Sequence, residues 1–240
     1  MKTIIGIFML LGSFCVSASG QVELDSVDID LDDKAALKRG AELYVTYCQG
    51  CHSLKHMRYS RIASDFGLDQ AKVSKDLILG RKTINGSMTS AMDPKQASEW
   101  FLGVGPPDLS LVARSRGADW LYSYLRGFYL DEARPFGVNN AVYHDVAMPN
   151  VLWELQGIQK AKFRTVNRQK ELAGFRIVEK GRMNAEQFDM AVTDLVNFLV
   201  YVGEPAKLER VSLGKYVILF LIVFGVLAYQ LKKEYWKDVH

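Results

Sequence analysis

The sequence predicts a mostly α-helical domain, exported across a membrane and held to it by one C-terminal transmembrane helix. Three observations carry this. Two segments, at about 33–47 and 185–202, repeat apolar residues at helical spacing. A 19-residue run from Leu213 to Leu231 carries one charge, Lys215, near its start, and is long enough to cross a bilayer as a helix. The first twenty residues have the order of a secretory signal: Lys2, an apolar stretch from Ile4 to Val16, then small residues.

Taken in order, residues 1–20 are expected to be a signal peptide cleaved near Ala18 or Gly20. The apolar stretch is short for an uncleaved anchor. Cys15 follows bulky Phe14, where a lipoprotein cysteine needs small residues, so it leaves with the signal. Residues 23–33 then hold six acids and no base. They read as a solvated, partly flexible arm, with an acidic docking surface for a basic partner as the alternative.

The helix over 33–47 has Asp32 or Asp33 as its cap and an apolar side of Ala36, Leu37, Ala41, Leu43, Tyr44 and Tyr47. Gly40 lies inside it. An interior glycine costs up to about 1 kcal/mol against alanine, so a close packing contact is expected there. The long middle of the chain is rich in turn signals, such as Asn85-Gly86, Pro106-Pro107 and Gly137, with a short helix at about 119–127. Residues 160–182 hold eight basic residues and two acids. They read as a solvated face, with lipid headgroups as the alternative contact. The helix at 185–202 opens with Asn184 and Gln187, spaced as a capping box, and stops at Gly203 and Pro205.

Behind the 213–231 span come Lys232, Lys233 and Lys237, positive charge that marks the cytoplasmic side. The expected division is therefore signal peptide 1–20, periplasmic domain 21–212, transmembrane helix 213–231 and cytoplasmic tail 232–240. The exported part holds 25 basic and 25 acidic residues. So balanced a charge excludes a protein built around nucleic acid. An apolar fraction of 49% excludes a disordered chain.

After export only two cysteines remain, in Cys48-Gln49-Gly50-Cys51-His52. Cys-x-x-Cys-His admits three readings. A thioredoxin-like redox pair needs a strand before it, and here a helix precedes it. A zinc site needs a second pair of ligands, which the sequence lacks. Covalent attachment of a c-type haem uses both thiols on the vinyl groups and the histidine on the iron. Haem is the favoured reading. For the other side of the iron, His56 is too close to His52, His240 is terminal, and His144 is possible. Among the methionines 57, 88, 92, 148, 183 and 190 most read as core filler. Met148 stands out because Pro149 stiffens its loop.

Further blocks give the chain a family likeness. Tyr47 to Lys55 spans the haem motif and Met57-Arg58-Tyr59 follows. Then come Gly105-Pro106-Pro107-Asp108-Leu109-Ser110, Arg114-Ser115-Arg116-Gly117, Ala147-Met148-Pro149 with Val151-Leu152-Trp153, and a last helix running into one anchor. This pattern resembles the cytochrome c1 family, the membrane-anchored haem subunit of quinol:cytochrome c oxidoreductase (the bc1 complex), in its proteobacterial form. The resemblance implies a class I cytochrome c-like core with inserted loops. It implies one haem c held by thioethers from Cys48 and Cys51, iron ligated by His52 and Met148, and Arg116 paired with a haem propionate. Pro107 and Trp120 would line the pocket; Trp120 stands where the family is expected to have tyrosine, and the Arg-Gly stretch is one residue shorter than in mitochondrial forms.

By the same resemblance the chain does no bond chemistry. It takes electrons from a Rieske iron–sulfur protein and gives them to a soluble or membrane-bound cytochrome c. It sits beside cytochrome b in a dimeric complex of the bacterial inner membrane, haem domain in the periplasm. A tethered carrier acting alone and a haem enzyme or gas sensor with an open iron site are the alternatives.

Overall fold

The computed structural model describes residues 23–238 apart from 79, 81, 167 and 168. The expected signal peptide and Cys15 lie outside the described residues. Helix α1, Lys34–Leu43, starts where the Asp33 carboxylate accepts from the amides of Ala35 and Ala36, satisfying two of the free donors of a helix start. It does not run on as α-helix to residue 47. Tyr44–Cys48 form a single π-helical turn, closed by the Gln49 amide on the Tyr44 carbonyl. Cys48, at its end, is buried, and such π turns recur at functional sites.

The apolar side of α1 packs against α8, Ala185–Gly203. Gly40 meets the backbone of α8 so closely that a Cβ would lie 2.1 Å from the Asp194 carbonyl oxygen. The expected packing reason for this glycine is therefore present. The contact is flanked by Arg39, whose Nε and Nη2 donate to Asp194 at 2.6 and 3.0 Å, and by the Tyr44 and Phe198 rings, 5.8 Å apart. Asn184 and Gln187 form the expected reciprocal capping box at the start of α8.

Between these two helices come β1 (Leu54–Arg58), α2 (Tyr59–Phe66), α3 (Gln70–Asp76), β2 (Ser87–Met88) and α4 (Pro94–Trp100). They are followed by α5 (Val112–Arg116), α6 (Ala118–Arg126), β3 (Phe128–Leu130), β4 (Val138–Asn140), α7 (Trp153–Gln156), β5 (Gly157–Val166) and β6 (Gln169–Lys180). The strands pair as three antiparallel two-stranded sheets, β1–β2, β3–β4 and β5–β6. Helix α6 matches the one expected at 119–127. One continuous core, with Tyr44, Leu54, Met57, Tyr59, Ile62, Met88 and Phe198 wholly buried, joins α1, α2, β1, α6 and α8.

Two segments hold more structure than their sequence announces. The basic stretch at 160–182, expected as a solvated face, is mostly a long hairpin. Its Lys160, Lys162 and Arg176 are exposed, as a solvated face requires. The other side carries Phe163 and Phe175, whose rings lie 6.1 and 6.4 Å from that of Tyr129. Gln159 fixes the base by donating to the carbonyls of Arg126 and Phe128. The acidic arm is solvated but not loose. Val27, Ile29 and Leu31 alternate with its acids and pack on the core. Its backbone amides at Asp25, Val27 and Asp30 donate to Ser123, Asp119 and Asn197, and Asp25 pairs with Arg126 at 2.6 Å.

The last helix, α9, spans Lys207–Tyr235, with a mean hydropathy of 2.3 in its most apolar window and nothing in that window buried. At 29 residues it is about 43 Å long, more than the roughly 30 Å of a bilayer's hydrocarbon core. The apolar run expected at 213–231 is its middle.

Candidate haem-binding site

The cysteine motif is a turn built on the end of the α1 π segment. The amides of Cys51 and His52 both donate to the Cys48 carbonyl, at 3.1 and 2.8 Å. This folds both thiols and the imidazole onto one compact loop. Both thiols are unpaired; Cys48 is buried and Cys51 partly so. Burial pushes the Cys48 thiol up to about 12 and raises Cys51 as well. A redox pair needs the opposite, a thiol with lowered pKa. Among the described residues no group of three or more His, Cys, Asp or Glu is placed to hold a metal ion.

His52 is held from two sides. Its Nδ1 lies 2.8 Å from the Pro107 carbonyl oxygen. A carbonyl only accepts, so Nδ1 carries the proton and the Nε2 lone pair is left for a ligand. The His52 carbonyl accepts from the buried Tyr44 hydroxyl at 2.6 Å. Burial lowers the imidazole pKa, against the opposing pull of the Pro107 carbonyl and the Asp108 charge. The ring is therefore neutral, the form that binds a metal.

The Pro107-to-Ser110 block is laced along the segment that follows the motif. Leu109 donates to the Ser53 carbonyl at 2.8 Å, and the Asp108 carboxylate accepts from the Lys55 and Ser110 amides at 3.0 and 2.9 Å. Ser110 Oγ accepts from the His56 amide at 3.2 Å. Burial opposes ionisation of Asp108, but the bonds from Ser110 and Lys55 outweigh it and hold its carboxyl below the usual carboxylate range. The block thus fixes the carbonyl that orients His52. Ser90 braces the other side, donating from Oγ to the Gly50 carbonyl at 2.7 Å.

A second group gathers on α6. The Tyr124 hydroxyl donates to Met148 Sδ at 3.3 Å. The Tyr124 ring stacks on Trp120, 4.8 Å between centroids and 9° from parallel. The Arg116 guanidinium lies 5.2 Å from the centre of the Trp120 ring. Arg116, Trp120 and Met148 therefore form one chain of contacts through Tyr124. Met57 and Met88 are core filler, while Met190 is 56% exposed. His56 and His144 are exposed. Tyr124 was not singled out from the sequence, although it lies one helical turn beyond Trp120 on the same face.

The residues suit a covalently held haem. Two unpaired thiols share one turn with an imidazole whose free nitrogen is Nε2, and a separate loop offers a thioether already held by a hydrogen bond.

The comparisons agree in direction. The model of the family described as the Cytochrome C1 family matches residues 29–239. Over 243 aligned residues the chain is 47% identical to cytochrome c1 of Allochromatium vinosum, covering all of this chain and 99% of that protein. It is 46% identical over 234 residues to the ammonia monooxygenase gamma subunit of Nitrosomonas europaea, covering 97% of this chain and 96% of the other. It is 24% identical over 248 residues to the cytochrome b/c1 of Bradyrhizobium diazoefficiens, spanning 87% of this chain and 34% of that protein.

Proposed function

The chain belongs to the cytochrome c1 family, and from that premise we propose that it carries one haem c, bonded through thioethers to Cys48 and Cys51 and ligated by His52 and Met148. Family membership makes it a membrane-anchored electron-transport cytochrome with a c-type haem, a subunit of the bc1 complex. Such a haem supplies one reversible iron(III)/iron(II) couple. The residues do the rest. Pro107 fixes the tautomer and angle of His52. A Met148 thioether as the second ligand would raise the potential and would leave no vacant position for oxygen. Arg116 is suited to a propionate by its planar fork, and Pro107 and Trp120 wall the pocket.

In this reading the electron arrives from a Rieske iron–sulfur protein and leaves to a soluble or membrane-bound cytochrome c. The chain makes and breaks no bonds of a substrate. Residues 1–20 are a removed signal peptide, 21–212 lie in the periplasm, 213–231 cross the bacterial inner membrane and 232–240 remain in the cytoplasm. Cytochrome b stands beside the anchor in a dimeric complex. The observation that carries the haem assignment is the oriented His52 on the same turn as two unpaired thiols.

Purification of the tagged full chain from native membranes tests the assignment to the complex. Cytochrome b and a Rieske protein should co-elute, and quinol should reduce the haem in a manner abolished by removing the Rieske protein. Elution with an oxygenase instead would give the chain the role named for its Nitrosomonas relative. Elution alone would favour the tethered carrier.

A further inference from the structure

We propose that Asn140 is a positioning residue that clamps the Met148 loop in its ligating shape, acting through Tyr124; this rests on Met148 being the iron ligand. Asn140 ends β4 and is wholly buried, with 0% of its surface exposed. Both ends of its amide are used. Nδ2 donates to the Tyr124 carbonyl at 2.8 Å. Oδ1 accepts from the Val142 and Tyr143 amides at 2.9 and 3.2 Å. Tyr124 in turn donates its hydroxyl to Met148 Sδ. One residue of α6 is thus fastened to the loop at both ends, by its carbonyl to Asn140 and by its hydroxyl to the ligand sulfur.

The neighbouring Asn139 extends the clamp. Its Oδ1 accepts from the Asp145 amide at 2.9 Å, and its Nδ2 donates to Asp131 at 3.0 Å. Asp145 sits at φ 60°, a conformation that costs a non-glycine residue energy and persists only where its surroundings hold it. Residues 141–152 contain no helix or strand. Side-chain amides here do what a ladder does elsewhere, pairing part-buried backbone groups that have no strand partner. A thioether is a weak ligand with a flexible stem, so retention on iron depends on how firmly its loop is held.

The test uses the full-length, haem-loaded protein in detergent. Three quantities are read: the rate at which carbon monoxide binds the ferrous form, the weak red absorption band of thioether-bound ferric haem, and the melting temperature. Asn140→Ala should speed carbon monoxide binding by at least about tenfold, what loss of its three side-chain hydrogen bonds supports, at temperatures far below its melting point. Val192→Ala, a core cavity on α8, serves as the control; it should lower the melting temperature with the rate within about twofold of wild type. If Asn140→Ala binds no faster than a Val192→Ala protein of similar melting temperature, the clamp is refuted. Should Asn140→Ala not assemble, Asn140→Asp decides, since it keeps the size and loses the donor to Tyr124; its rate must rise by at least about threefold or the clamp is refuted. Met148→Leu separates the two layers. If that variant keeps the red band, the ligand assignment fails, whatever Asn140 does.

Discussion

Replacing Gly40 with alanine sets two effects of opposite sign against each other. Alanine is worth up to about 1 kcal/mol more than glycine inside a helix. The added methyl, however, would lie 2.1 Å from the Asp194 carbonyl oxygen and 2.7 Å from both the Asp194 carbonyl carbon and Phe198 Cβ. Two of these three obstacles are backbone, which has no rotamer to change. Helices α1 and α8 would have to part by roughly 1 Å, against the bidentate Arg39–Asp194 pair and the Tyr44–Phe198 contact. Overpacking costs about 1–3 kcal/mol, and a rigid obstacle puts this site at the upper end. The net is a loss of about 2 kcal/mol, or about 4–8 °C in melting temperature for a domain of this size. Thermal unfolding of the detergent-solubilised protein, followed by far-ultraviolet circular dichroism, measures it. An unchanged or raised melting temperature would mean that helix propensity wins and that the two helices do not approach this closely.

Three further outcomes follow from the site. Tyr124→Phe removes the donor to Met148 Sδ and leaves more electron density for the iron; a redox titration should find the potential lowered by about 20–60 mV. That range is one hydrogen bond of about 0.5–1.5 kcal/mol, at 59 mV per tenfold for one electron; a rise would contradict the geometry. Asp108 holds its carboxyl below the unfolded value, so the stability it contributes is present above about pH 4 and is lost as pH falls through its folded pKa. Asp108→Asn should therefore be less stable than wild type at pH 7, with the gap closing in more acid solution; a gap that stays constant in acid would assign it to packing. Replacing both Cys48 and Cys51 with serine should abolish haem staining on a denaturing gel. Staining that survives would place the covalent link elsewhere.

Much of this architecture was legible because burial imposes a period. Helices α1 and α8 show that spacing, the apolar run in α9 is legible by its length instead, and Asp33, Asn184 and Gly40 fill the positions their chemistry predicts. The π turn at Tyr44–Cys48 was not legible, since its sequence is equally good α-helix. The β5–β6 hairpin was hidden by irregular register between Ile158 and Gln159 and between Lys162 and Phe163, which breaks the alternation a strand should show. In the N-terminal arm the alternation of Val27, Ile29 and Leu31 was present, but the six acids obscured it. Of the candidate site, the cysteine turn and His52 are proposed from spacing, and Met148, Arg116, Pro107 and Trp120 chiefly from family likeness. Tyr124 and Asn140 could not be read, because their contacts exist only where the loop after β4 meets α6. The structure also gives a physical reason for the Pro107-to-Ser110 block, which pins the carbonyl that orients His52.

The central claim is that His52 and Met148 close both sides of the iron in an electron carrier. Optical spectra of the purified, oxidised and reduced protein beside Met148→Leu test it most directly. The account predicts a low-spin c-type spectrum with the weak red thioether band in the oxidised wild type, and loss of that band in the variant. A high-spin wild-type spectrum, or a band that survives the substitution, would contradict it and remove Met148 as the ligand.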